Sequence, residues 1–176
     1  MKAIFKPLYT PWLKTILLAI SAALMINQFG LALSIVNGTS MEPTLEDGDR
    51  LLINKFYFMF DDPKRGDVVT FEDPNRKGKY LVKRVVGIPG DRIEIKGGDL
   101  YRNGKYVYEP YVNTDVEDGD FGPIIVEEGK IFVMGDNRHR YASRDSRYPS
   151  VGQIPCELVE GKVEWIIWRP SLTNFL

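Results

Sequence analysis

Between Ile16 and Val36 the chain carries no charged residue, a run of 21 positions. A helix of that length, at about 1.5 Å per residue, is roughly as long as a bilayer core is thick. Lys2, Lys6 and Lys14 flank the run on its N-terminal side, and no acid precedes it. Basic flanks stay on the cytoplasmic side of a first span. The sequence therefore predicts a cytoplasmic segment over 1–15, a single-pass anchor in the cell membrane over 16–36, and an extracytoplasmic domain over 37–176. Two other readings compete. A cleaved export signal has a shorter apolar core, about 7–15 residues, and its small-residue exit would here be Ala32–Ser34, inside the run. A buried core helix would accommodate Asn27 and Gln28, whose amides cost free energy in lipid unless they face protein or reach the interface.

After Val36 the texture changes to short apolar segments broken by turns. Val68–Asp73, Tyr80–Ile88 and Gly161–Pro170 read as strands, and Asn103-Gly104 is a two-residue hairpin turn. No helical pattern of convincing length follows. The predicted fold is mainly β, an irregular antiparallel or barrel-like sheet domain behind an N-terminal transmembrane helix. A net charge of -1 gives no general attraction to nucleic acid. The single cysteine, Cys156, excludes an intrachain disulfide and, with no Cys/His cluster, argues against a structural metal.

Three stretches have the composition of a reactive site. The first, NGTSMEPTLEDGDRLLINKF, places Ser40 in a turn just after the apolar run. Serines in such turns usually bond their own backbone, and a nucleophilic one needs a base within reach. The one histidine, His139, lies between Arg138 and Arg140; two guanidinium groups disfavour the imidazolium that a general base must form. The second stretch is YLVKRVVGI. Strand alternation puts Leu81, Lys83 and Val85 on one face. A buried face would desolvate the ammonium and lower its pKa; an edge position would leave it charged in water. The third is GDNRHRYASRDSR, Gly135–Arg147. It reads either as a salt-bridged surface loop or as a support, with a serine or aspartate orienting a neutral lysine and Asp145 paired to Arg147.

Taken together and in this order, these stretches resemble the bacterial type I signal peptidases over nearly all of Asn37–Trp168. The resemblance implies a membrane-bound Ser/Lys-dyad endopeptidase, without cofactor or metal, that cleaves signal peptides from exported preproteins after small residues at positions -1 and -3. By motif position it makes Ser40 the nucleophile and Lys83 the general base. Ser143 would bond the Lys83 amine, with Asp145, Arg147, Asp136 and Arg138 in support. Met41, Leu81 and Val82 would line the small-residue pockets. Partners would be signal peptides, membrane lipid and, by proximity, the secretion translocon, with no nucleic acid.

Position 38 is glycine where part of that family has a serine, so the oxyanion would rest on backbone donors, chiefly the Ser40 N–H. The stretch between Arg138 and Asp145 is two residues longer than the family's usual spacing. Phe56–Phe60 with Trp165 and Trp168 are expected either to form an apolar apron at the outer leaflet or to pack in the core. Two other functions stand beside the main one: a specialised maturation peptidase of a conjugation or pilus system, and a catalytically inactive, membrane-anchored β binding module. A self-cleaving repressor shares the dyad chemistry but carries a DNA-binding helical module where this chain has its apolar run.

Overall fold

The computed structural model describes residues 11–172. The elements in chain order are α1 (Pro11–Phe29), β1 (Leu31–Ile35), β2 (Arg50–Asn54), the one-turn α2 (Tyr57–Phe60), β3 (Val68–Glu72), β4 (Tyr80–Gly87), β5 (Arg92–Lys96), β6 (Asp99–Arg102), β7 (Lys105–Tyr106), β8 (Phe121–Ile125), β9 (Lys130–Met134), β10 (Ile154–Pro155) and β11 (Val159–Trp168). The mainly β, antiparallel reading holds. The Asn103-Gly104 turn has positive φ at both residues, 54° and 74°, as a type I′ hairpin requires.

The uncharged run is not one element. Helix α1 stops at Phe29, and Leu31–Ile35 leave it as β1, paired antiparallel with β2 from Leu31↔Asn54 to Ile35↔Arg50. Leu31, Leu33 and Ile35 are exposed, whereas Ala32 and Ser34 turn inward. That two-residue period satisfies the backbone through the sheet. Hydropathy alone sums apolar residues without regard to period, so the end of the run looked helical. Along α1, Ile16, Leu17, Leu18, Ile20 and Leu24 are exposed. Among the described residues, no helix is long and apolar enough to cross a membrane. Lys2 and Lys6, on which the predicted orientation rests, lie outside the described residues.

Seven strands form one sheet in the order β1-β2-β11-β3-β4-β9-β10, and four form another in the order β7-β6-β5-β8. In a flat sheet the four intervals from β1 to β4 would span about 19 Å. Yet Ser34, Ile35 and Val36 line the same small cleft as Tyr80–Lys83. The larger sheet is therefore strongly curled, and its concave side brings β1 and β4 together. Beneath the cleft, Val36, Met41, Leu45, Leu51 and Ile53 form one core. Val69, Phe71, Val85, Ile131, Val133, Val151 and Ile154 form a second. A third, with Ile93, Ile95 and Phe132, lies against the smaller sheet.

Candidate active site

Ser40 sits on a turn held from both sides. Met41, 1% exposed, drives its side chain into the core beside Leu45 and Leu51. Gly38 has φ +102°, a conformation that strains any L side chain, and its N–H donates to Asp47 Oδ1 at 2.6 Å. The Glu42 N–H donates to Thr39 O at 3.1 Å, and the Leu45 N–H to Met41 O at 2.9 Å.

Lys83 comes from β4, whose neighbour β3 pairs with Tyr80–Arg84. On the other side, β9 begins to pair only at Arg84. The edge of Tyr80–Lys83 that faces the cleft is thus left without a strand partner among the described residues. Lys83 is 2% exposed. Its Nζ donates to Ser40 Oγ at 2.6 Å and to Val82 O at 2.8 Å. Burial pushes its pKa down from 10.5 to about 8; Asp145 and Asp136 push it back up and Arg144 further down. An ammonium has three protons to place, and two acceptors meet it here. Once deprotonated, the same amine can donate to the Val82 carbonyl and offer a lone pair to the Ser40 hydroxyl.

The third predicted stretch forms a buried scaffold around this pair. Asp145 accepts from the Gly135 N–H at 3.1 Å and from Arg147 Nε and Nη2 at 2.8 and 2.9 Å. Ser143 Oγ donates to Asp145 Oδ2 at 2.8 Å. Among the described residues no hydrogen bond joins Ser143 to the Lys83 amine, although donating to Asp145 leaves the Ser143 oxygen able to accept one. The nearby carboxylate takes the hydroxyl proton because a charged acceptor is the stronger partner. Asp136 and Arg138 share a loop but not a bond. Asp136 pairs with Arg84, Nε to Oδ1 at 2.8 Å and Nη2 to Oδ2 at 2.5 Å, and also takes the Thr44 hydroxyl. Arg138 pairs through Nη1 and Nη2 with Glu109, both at 2.7 Å, while its Nε holds Gly135 O at 2.8 Å. Arg144 pairs with Asp73.

The long stretch between Arg138 and Asp145 turns outward. His139, Arg140 and Tyr141 are exposed, Tyr141 at φ 59°, while Ser143 and Asp145 stay buried. His139 faces Glu117, Nδ1 to Oε1 at 3.3 Å, on the surface.

Sequence reasoning did not find Glu109, Tyr111, Asp118, Thr44 or Arg84. Glu109 lies 29 residues from Arg138. Tyr111 donates to Glu109 and stacks under Arg84, 3.8 Å from ring centre to guanidinium carbon. Asp118 takes Arg147 Nη1 at 3.0 Å. Burial raises the Tyr111 hydroxyl pKa, and the Glu109 carboxylate raises it further. A pairwise contact between distant loops leaves no local pattern in a sequence.

The cleft beside Ser40 and Lys83 has a volume of about 140 Å³. Met41, Leu81 and Val82 line it, with Ile35, Ile53 and Tyr80. A larger hollow of about 270 Å³ lies by the smaller sheet; it reaches Glu109 and Arg138 but neither Ser40 nor Lys83. Chemically, a hydroxyl beside a buried amine of lowered pKa, at the mouth of a small apolar cleft, is an arrangement for nucleophilic attack on a carbonyl with the amine as base.

The comparisons with known proteins agree with that class of chemistry. The family model described as signal peptidase, peptidase S26, matches residues 9–168. Signal peptidase I of Bacillus licheniformis is 42% identical over 166 residues, covering 89% of this chain and 87% of the relative. Signal peptidase I T of Bacillus subtilis is 43% identical over 169 residues, covering 91% and 86%. A crystal structure of a signal peptidase I from Enterococcus faecalis superposes with a TM-score of 0.50 at 33% identity, covering 59% of this chain and 98% of that one. The chain therefore belongs to the signal peptidase family, peptidase S26, and is a serine endopeptidase.

Proposed function

We propose that this chain is a membrane-anchored endopeptidase that removes signal peptides from exported preproteins with a Ser40/Lys83 dyad. The observation that carries the proposal is the 2.6 Å contact between Lys83 Nζ and Ser40 Oγ, made by a lysine that burial has brought to a pKa of about 8. The substrate enters extended between β1 and β4 and adds a strand to the open edge of Tyr80–Lys83. The side chains at -1 and -3 settle against Met41, Leu81 and Val82, where a cleft of about 140 Å³ leaves room only for small groups.

Neutral Lys83 takes the Ser40 proton as Oγ bonds to the scissile carbonyl carbon. The oxyanion is held by backbone donors, chiefly the Ser40 N–H. The C–N bond then breaks, and Lys83 passes its proton to the departing amine. A water molecule, deprotonated by Lys83, attacks the acyl-enzyme and releases the signal peptide's new carboxylate. Ser143 and Asp145 with Arg147, together with Asp136 and Arg138, hold the loop that carries this geometry.

In this reading the uncharged run that begins at Ile16 supplies the anchor, with the N-terminus cytoplasmic and the β domain outside, close to the translocon. The exposed Ile16, Leu17, Leu18, Ile20 and Leu24 support it, since no surface among the described residues covers them. Phe56, Met59, Phe60, Trp165 and Trp168 are also exposed, as an apron resting on the outer leaflet would need. The test is cleavage of a preprotein by the purified full-length chain in detergent, with the new N-terminus sequenced. Ser40→Ala and Lys83→Ala are each expected to lower the rate by at least about 10³-fold. Cleavage that survives both substitutions would sink the dyad.

A further inference from the structure

We infer that Asn137 is a positioning residue that aims the Ser40 N–H at the developing oxyanion. The inference rests on the proposed role of Ser40. It starts from two bonds: Asn137 Nδ2 donates to Thr39 O at 3.0 Å, and the Asn137 backbone N–H donates to Ser40 O at 3.2 Å. Asn137 is 8% exposed.

The Thr39 carbonyl and the Ser40 N–H belong to one peptide unit. That unit is planar and trans, so its C=O and N–H point to opposite sides. Whatever fixes the Thr39 oxygen therefore fixes the direction of the Ser40 N–H. Two donors fix it: the Glu42 N–H from within the turn, at 3.1 Å, and the Asn137 amide from a separate loop. The N–H itself makes no hydrogen bond among the described residues, which leaves it free for an incoming oxygen. The orientation of the Asn137 amide is settled by its surroundings. Its Oδ1 accepts the His139 N–H at 3.2 Å, and a flipped amide would set oxygen against oxygen at Thr39.

The need for this device follows from Gly38. Glycine carries no side-chain donor, so in this reading the oxyanion charge falls chiefly on the Ser40 N–H. A donor contributes to the transition state only when it is aimed in advance, because reorienting it during the reaction would cost free energy. Asn137 touches neither substrate nor reacting atoms. It acts through a peptide plane.

The test uses the full-length protein in detergent and a signal-sequence peptide with alanine at -1 and -3. Asn137→Ala removes the side-chain bond and leaves the backbone bond to Ser40 O in place. The expected result is a fall in kcat of about 10–100-fold, less than deletion of a donor would give, with KM little changed and the pH midpoint of the rate unmoved. The second readout is affinity for a peptide boronate, which forms a tetrahedral adduct on Ser40. It should fall by the same factor as kcat, while affinity for the uncleaved peptide, measured on a Ser40→Ala background, stays level. Unchanged kcat, or equal losses for boronate and uncleaved peptide, would overturn the inference. Should Asn137→Ala fail to fold, Asn137→Leu keeps most of the volume without charge while losing the donor, and the same predictions apply. Full activity of Ser40→Ala would instead remove the nucleophile assignment, so the two failures are distinguishable.

Discussion

Gly135 lies directly against the nucleophile's own carbonyl: a Cβ at position 135 would fall 2.3 Å from Ser40 O and 2.2 Å from Ser143 Oγ. The Ser40 oxygen is backbone and cannot rotate away. Its N–H is held by Asp145 and its carbonyl by Arg138, so Gly135 cannot retreat either. Gly135→Ala is therefore expected to push the Ser40 turn off Lys83 and to lower kcat/KM by at least about 10²-fold, the scale of a displacement near 1 Å. Steady-state kinetics and a melting curve check it; an active, equally stable variant would mean that the loops yield more easily than their bonds suggest.

The pH dependence follows from Lys83. Its neutral form is the base, so kcat/KM should rise with pH through a midpoint of about 8. Asp145 holds that value up by favouring the ammonium. Asp145→Asn should move the midpoint to lower pH, even while lost support reduces the maximum rate. Ser143→Ala should leave the midpoint in place, because its hydroxyl bonds Asp145 rather than the amine. A large shift in the Ser143 variant would restore the direct contact to Lys83.

The same burial makes Lys83 a cost to the fold. Its pKa falls from 10.5 unfolded to about 8 folded, so between these values the unfolded chain binds more protons. The penalty is complete below about pH 8, roughly 3 kcal/mol, and is relieved as pH rises toward 10.5. Lys83→Met removes it and forfeits two hydrogen bonds worth about 1 kcal/mol each. At pH 7 the inactive Lys83→Met chain should be more stable than the parent by about 1 kcal/mol, and the difference should shrink or reverse by pH 10. Urea unfolding at the two pH values decides it.

Asp136 is fully buried and bidentate to Arg84, itself almost covered. Asp136→Asn leaves the guanidinium charge without its partner and should cost about 3–5 kcal/mol, read from urea unfolding. Arg84 would keep Gly66 O, Thr44, the Tyr111 ring and one amide oxygen at position 136, but lose the charge that balanced it.

His139 offers the contrasting case. It is exposed and faces Glu117 at 3.3 Å, a solvent-screened surface pair that contributes little. His139→Ala should cleave substrate at close to the parental rate. Loss of activity there, with Lys83→Ala still active, would reverse the assignment of the base.

Much of this was legible in the chain itself. Short apolar segments between Gly, Pro and Asn turns specify strands because the two-residue period and the turn geometry are local properties. Asn103-Gly104 shows it, down to the sign of φ. The face of Lys83 was also legible, since alternation set it beside Leu81 and Val85. What period cannot reveal is which contacts close over that face. Whether Lys83 was a buried base or an edge cation depended on the Ser40 turn, 43 residues away, folding onto it.

The amino-acid order by itself determined the β texture, the lysine's side of its strand and the presence of three compatible stretches, because each depends on neighbours a few bonds apart. Only the tertiary structure decided that Leu31–Ile35 leave the apolar run to edge a sheet, that Ser143 serves Asp145, that Arg138 finds Glu109, and that Asn137 reaches Thr39. Those outcomes are set by competition among distant hydrogen-bond partners for the same buried space, and the winner is fixed only once the larger sheet has curled.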